Sequence, residues 1–144
     1  MKIIIALLTL FLTLPATAFA ERSQTFGDIE VHFNALSTTE LSPDMAKAYQ
    51  LERSKNRGMI TVAVLKKDKA GVGHPIKATI SANAVNLSSQ LSDMTMREIQ
   101  EGKAIYYLGD YRVSAPDTLK FKVAIKPQGE NKTLNVEFQQ PFFP

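Results

Sequence analysis

The chain has 144 residues, with 17 Lys or Arg against 14 Asp or Glu, a net charge of +3, two histidines and no cysteine. So balanced a charge argues against a nucleic-acid or membrane-surface partner. The missing cysteine excludes disulfides, thiol nucleophiles, thiolate metal sites and a lipid anchor on an N-terminal cysteine, so a domain of this length must be held by packing alone.

Lys2 precedes an apolar run from Ile3 to Leu14, and Pro15 and Ala18-Phe19-Ala20 follow it. This is the pattern of a secretory signal peptide with a small-x-small cleavage site, because a run of about 12 residues is too short for the ~20 that span a bilayer. Residues 1–20 are therefore expected to be a leader cleaved after Ala20. Taking 20 residues and Lys2 from the chain leaves residues 21–144 as a single domain of 124 residues with a net charge of +2. No membrane anchor is expected after cleavage, and in a bacterium the product would be periplasmic.

Ile29, Val31, Phe33 and Ala35 alternate with Glu30, His32 and Asn34, which is the period of a half-buried strand. Ser42-Pro43-Asp44 reads as the N-cap, first residue and acidic first turn of a short helix. Met45, Ala48 and Tyr49 stand at helical spacing on it and predict packing onto a sheet edge or end. Met59–Leu65 is almost wholly apolar and rich in Val and Ile, as a central strand is. Lys66–Gly73 makes a charged turn, after which Ile76, Ala78, Ile80 and Ala82 alternate with polar residues. Met94–Gln100 and Lys103–Val113 flank Glu101-Gly102 as the arms of a tight hairpin. Leu119, Phe121, Val123 and Ile125 mark another strand, and Gln128–Lys132 turns the chain into Leu134, Val136 and Phe138. About seven strands and one short helix predict an all-β fold, an immunoglobulin-like antiparallel β-sandwich, with a small barrel as the alternative.

Three stretches also carry a resemblance: Phe26–Ala35, Arg53-Ser54-Lys55-Asn56-Arg57 and Phe138–Phe143, with Ile99–Tyr107 between the last two. The chain resembles the secreted bacterial domain-of-unknown-function family 4426 over essentially its whole length beyond the leader. The resemblance implies a periplasmic or envelope location in Gram-negative bacteria and supports the sandwich, and it brings no activity. It also implies an aliphatic residue without sulfur near Met94 or Met96, which counts against a copper site on those two methionines.

The segment with the most chemistry is Glu52–Gly58, which places three cations in five residues just before a buried strand. If extended, Arg53, Lys55 and Arg57 share one face and can grip a carboxylate, phosphate or sulfate, with Asn56 beside them. A solvated entry loop is the plainer explanation. His32 and Asn34 lie on the polar face of their strand, where His32 with a carboxylate could in principle hold a metal, although strand alternation alone accounts for them. Tyr106, Tyr107 and Tyr111 put aromatics on both faces of one strand, one for the core and one, with Tyr107, for a binding surface. Pro141-Phe142-Phe143-Pro144 is an apolar terminus expected to fold back over the end of the sandwich. Lys120, Lys122 and Lys126 give one strand a basic outer face.

No nucleophile elbow, paired histidines or phosphate loop is present, so no catalytic residue, metal ligand or cofactor is assigned. The expectation is a non-enzymatic interaction module whose partner is another envelope protein. A carrier or sensor of a small anionic ligand bound at Arg53–Arg57 is the alternative, and a hydrolase or metal binder is a remote one.

Overall fold

The computed structural model describes residues 22–144; the expected leader and its cleavage point lie outside the described residues. Ten strands form two antiparallel sheets: β1 (Arg22–Phe26), β2 (Ile29–Ser37), β3 (Arg57–Lys67), β4 (Gly73–Pro75), β5 (Ala78–Val85), β6 (Leu91–Met94), β7 (Arg97–Glu101), β8 (Ala104–Arg112), β9 (Asp117–Pro127) and β10 (Leu134–Phe142). The first sheet runs β1-β2-β3-β8-β7, with β4 paired to the far end of β3, and the second runs β10-β9-β5-β6. The protein is an all-β sandwich.

Period-two patterning does the sorting. Val31, Phe33, Ile60, Val62 and Val64 of the first sheet are buried against Phe121, Val123, Ile125 and Val136 of the second. Five rings run through this layer in sequence. Phe33 tilts onto Phe138 at 4.8 Å, Phe138 stacks on Phe121 at 4.9 Å, and Tyr111 stands edge-on to Phe121 at 5.1 Å and to Phe142 at 5.9 Å. Each such pair adds about 1 kcal/mol beyond its buried area, which helps to offset the absence of covalent cross-links.

Two expectations about the strands need correction. Strands β1 and β4 were too short to show a period, so the fold has more strands than seven. Met94–Gln100 is two strands in different sheets: β6 pairs with β5 and β7 with β8, and the chain changes sheets at Thr95-Met96. Met94 and Met96 both pack into the core layer at this crossing, and Gly109 leaves the room that the Met96 sulfur occupies. The hairpin is as expected, with Gly102 at φ +59° in the two-residue connection from β7 to β8.

The helix, α1 (Pro43–Ala48), starts as predicted, with Ser42 accepting from the Met45 N–H at 3.2 Å and Pro43 at its first position. It lies on the outer face of the first sheet rather than its edge. Leu41 and Ala46 pack on Met59 and Leu108 there, while Met45 stays exposed. Tyr49 at its end donates to Glu101 at 3.0 Å, and Arg97 donates to the Tyr49 carbonyl, tying the helix to β7. At the opposite edge Arg22 of β1 donates to the Gln139 carbonyl and to Gln140 Oε1 of β10, both at 2.8 Å, with its guanidinium 5.2 Å from the Phe138 ring centre. This bridge joins the two sheets along the β1–β10 side.

Candidate functional site

The basic segment is a turn and not an extended strand, which corrects the expected shared face of Arg53, Lys55 and Arg57. The Arg57 N–H closes it onto the Ser54 carbonyl at 3.2 Å, and β3 begins only at Arg57. The reason lies in Thr38, which is fully buried in the 3₁₀ turn Thr38–Glu40. Its hydroxyl accepts from the Ser54 N–H at 3.0 Å and donates to the Ser54 carbonyl at 3.1 Å. The Val113 N–H, just past β8, adds a bond to the Asn56 carbonyl at 3.0 Å. Such fixed backbone means that little is left to order when a ligand binds.

Turning the chain separates its cations. Arg53 donates to the Thr39 carbonyl at 3.2 Å and serves the loop itself. Lys55 lies in a cleft of about 420 Å³ with Glu40 and the C-terminal Pro141, Phe142, Phe143 and Pro144. Phe142 ends β10 inside the core, whereas Phe143 is 79% exposed. The terminus therefore continues an edge strand instead of folding back, and it meets the basic turn at one end of the sandwich. Asn56 and Arg57 face another cleft of about 370 Å³, together with Glu52, Arg112 and Ser114. Arg57 Nη1 is 3.2 Å from Asp110 Oδ2. Arg112 was missed by the sequence reading, because it comes beside Arg57 only through the β3–β8 register.

The other predicted residues lie elsewhere. His32 Nε2 is 2.8 Å from Glu30 Oε1 on the outer face of the first sheet, and the neighbouring Asn34 accepts from the Ala35 N–H at 2.9 Å. His74 pairs with Asp68 in the β3–β4 connection. Among the described residues no three His, Cys, Asp or Glu side chains come together as metal ligands would. Lys120, Lys122 and Lys126 are exposed on the outer face of the second sheet, as alternation predicts.

Tyr107 also needs correction, because its ring is buried and the outward tyrosine is Tyr106. Its hydroxyl accepts from the Ala78 N–H at 2.8 Å and donates to Glu98 Oε1 at 3.0 Å, a tie between the sheets rather than a contact surface. Burial, with the Glu98 charge, pushes the Tyr107 phenol up. Donation from Gln100, then from Tyr107, holds the Glu98 carboxyl below the usual glutamate range. A depressed carboxyl stabilises the fold above its unfolded pKa, and this contribution is lost as pH falls through the lower folded value. Tyr107→Phe should thus move the Glu98 titration upward toward the ordinary value, as read from the pH dependence of its side-chain carboxyl NMR shift; an unchanged midpoint would refute the Tyr107 contribution.

Fold and site together define a class: a small all-β sandwich that presents a basic turn and an apolar terminus at one end. Within that class the chain belongs to the DUF4426 family, a domain of unknown function, whose model matches residues 23–144. The crystal structure of a DUF4426 family protein from Pseudomonas aeruginosa PAO1 is similar at 32% identity, covering 86% of this chain and 95% of that one with a TM-score of 0.72. FetP of uropathogenic Escherichia coli strain F11, recombinantly expressed in the periplasm, shares the fold at 14% identity and a TM-score of 0.60, covering 85% of this chain and 93% of that one. A copper-bound variant of FetP matches at 15% identity and a TM-score of 0.61, covering 85% and 95%. No curated protein matches the sequence. No helix among the described residues is long and apolar enough to cross a membrane.

Proposed function

We propose that the protein is a non-enzymatic interaction module of the periplasm that docks another envelope protein at the end of the sandwich where Lys55 meets the C-terminal strand. The observation that carries this reading is Phe143, a large ring 79% exposed at the mouth of a 420 Å³ cleft whose rim holds Lys55 and Glu40. An aromatic anchor beside a polar rim is the usual anatomy of a protein-binding hot spot. The scattered carboxylates and the separated His32 and His74 favour binding over turnover. Copper, which the FetP variant binds, has no place in this reading, because His32 and His74 pair with carboxylates on their own stretches of chain while Met94 and the partly buried Met96 pack into the core layer.

The test is photocrosslinking in the native envelope with probes at Phe143 and Asn56 and a control at Lys122. A discrete adduct is expected at the first two positions and none at the third. Phe143→Ser should lower the Asn56 adduct yield about tenfold, with the melting temperature unchanged because the ring packs on little. Absence of an adduct at Phe143 and Asn56, or equal labelling at Lys122, would overturn the proposal.

A further inference from the structure

The cleft on the other side of the turn holds a feature that packing does not explain. Arg57 and Arg112 are direct partners in the β3–β8 register, and both project from the outer face of the first sheet. Like charges placed directly opposite each other on antiparallel strands destabilise a sheet. Asp110 sits 3.2 Å from Arg57 and neutralises one of the two. Arg112 makes no ion pair or side-chain hydrogen bond among the described residues. Opposite charge on the cleft wall is confined to Glu52, which lies on the exposed stretch before the turn and outside ion-pair distance of Arg112.

We propose that Arg57 and Arg112, with the Asn56 side chain, form a binding site for a small free oxyanion, a carboxylate or a phosphate. A guanidinium offers two parallel N–H donors matched to two oxygens of one anion. The Arg57 pair with Asp110 orients the first guanidinium and leaves Arg112 to supply the uncompensated charge. Asn56 brings an amide donor from a turn already fixed by Thr38 and Val113. The 370 Å³ cleft admits such an anion with its hydration water. An anion held between the two guanidiniums would offset their mutual repulsion, so binding and stability are linked. This site differs from the expected one, since neither Arg53 nor Lys55 takes part.

The decisive experiment is thermal denaturation of the purified domain with increasing inorganic phosphate or acetate, against chloride at matched ionic strength. A saturable rise of about 4 °C at tenfold excess over Kd is expected for one of the two anions, and the active one identifies the ligand class. Phosphate also stabilises proteins by exclusion from their surface, and Arg112→Glu separates the two effects. That variant should melt about 1–3 °C higher without anion, because it places a carboxylate opposite Arg57, and should lose the saturable response. Arg112→Gln should lose the response too, and it carries the test if the charge reversal fails to fold. No rise beyond chloride with either anion, or a variant that responds like the wild type, overturns the site. The assay contains no partner protein, so its result is independent of the crosslinking result.

Discussion

Gly58→Ala should lower the melting temperature by about 10 °C, corresponding to about 3 kcal/mol for a domain of this size. Gly58 is buried in β3 directly opposite Tyr111 of β8, and the ring lies across it. A methyl group at Gly58 would fall on the edge of that ring and within 2.6 Å of its hydroxyl oxygen. The ring cannot swing aside cheaply. It is held edge-on by Phe121 and Phe142, and its hydroxyl points at the Met59 carbonyl at 3.4 Å. The added carbon therefore pushes on the aromatic layer between the sheets and on the first residues of β3, next to Arg57. Chemical denaturation gives the stability change directly, and in a Tyr111→Leu background Gly58→Ala should cost much less than in the wild type because the two residues share one space. A Gly58→Ala protein as stable as the wild type would mean that the ring does not lie where it is described.

Thr38→Val should cost about 2 kcal/mol, a fall of roughly 6 °C. Valine has nearly the shape of threonine, so packing around this fully buried side chain is preserved and the hydrogen bonds alone are lost. The Ser54 carbonyl keeps the Arg57 N–H as a partner, whereas the Ser54 N–H is left with none among the described residues. An orphaned donor in a partly buried position, held against the fully buried Thr38, is the costly half of a broken bond. Because Ser54 anchors the basic turn, amide hydrogen exchange over residues 53–57 should quicken more than exchange in β9, which lies in the other sheet. Thr38→Ser should restore most of the stability. A valine variant with unchanged exchange in the turn would show that Thr38 is not its anchor.

Much of the sandwich was legible because a strand buried on one face must alternate. Ile29–Ala35, Leu119–Ile125 and Leu134–Phe138 announce their inner faces residue by residue. Alternation says nothing about which strand lies beside which, and the site depends on that. Arg112 meets Arg57 across a register set by β3 and β8, elements with residues 68–103 between them in the chain. The crossing at Thr95-Met96 was hidden for a related reason: Met96 is as apolar after the switch as Met94 is before it, so the period runs on while the sheet changes. Charge misled at Arg53–Arg57, where a basic run fits an extended strand as well as a turn. The signal that would have helped was upstream. Ser37-Thr38-Thr39-Glu40 has the spacing of a capping box, which the structure forms with the Ser37 side chain and Glu40, and the turn it builds delivers Thr38 to Ser54.

Tyr107 shows a different miss, a residue read for a contact surface whose ring the structure turns into the core. A tyrosine on a strand can turn its ring inward and still spend its hydroxyl at the margin of the core, and no sequence pattern separates that from a contact residue.

The bridge from Arg22 to Gln139 and Gln140 makes the two ends of the domain mechanically dependent on each other. Strand β10 is the outermost strand of its sheet, and part of its open backbone margin is occupied by that one guanidinium. A protease that trims past Arg22 would therefore uncover a strand margin more than a hundred residues away in sequence. Without Arg22 that margin would be open to pairing with a further strand, so a single side chain of β1 guards the edge of the other sheet.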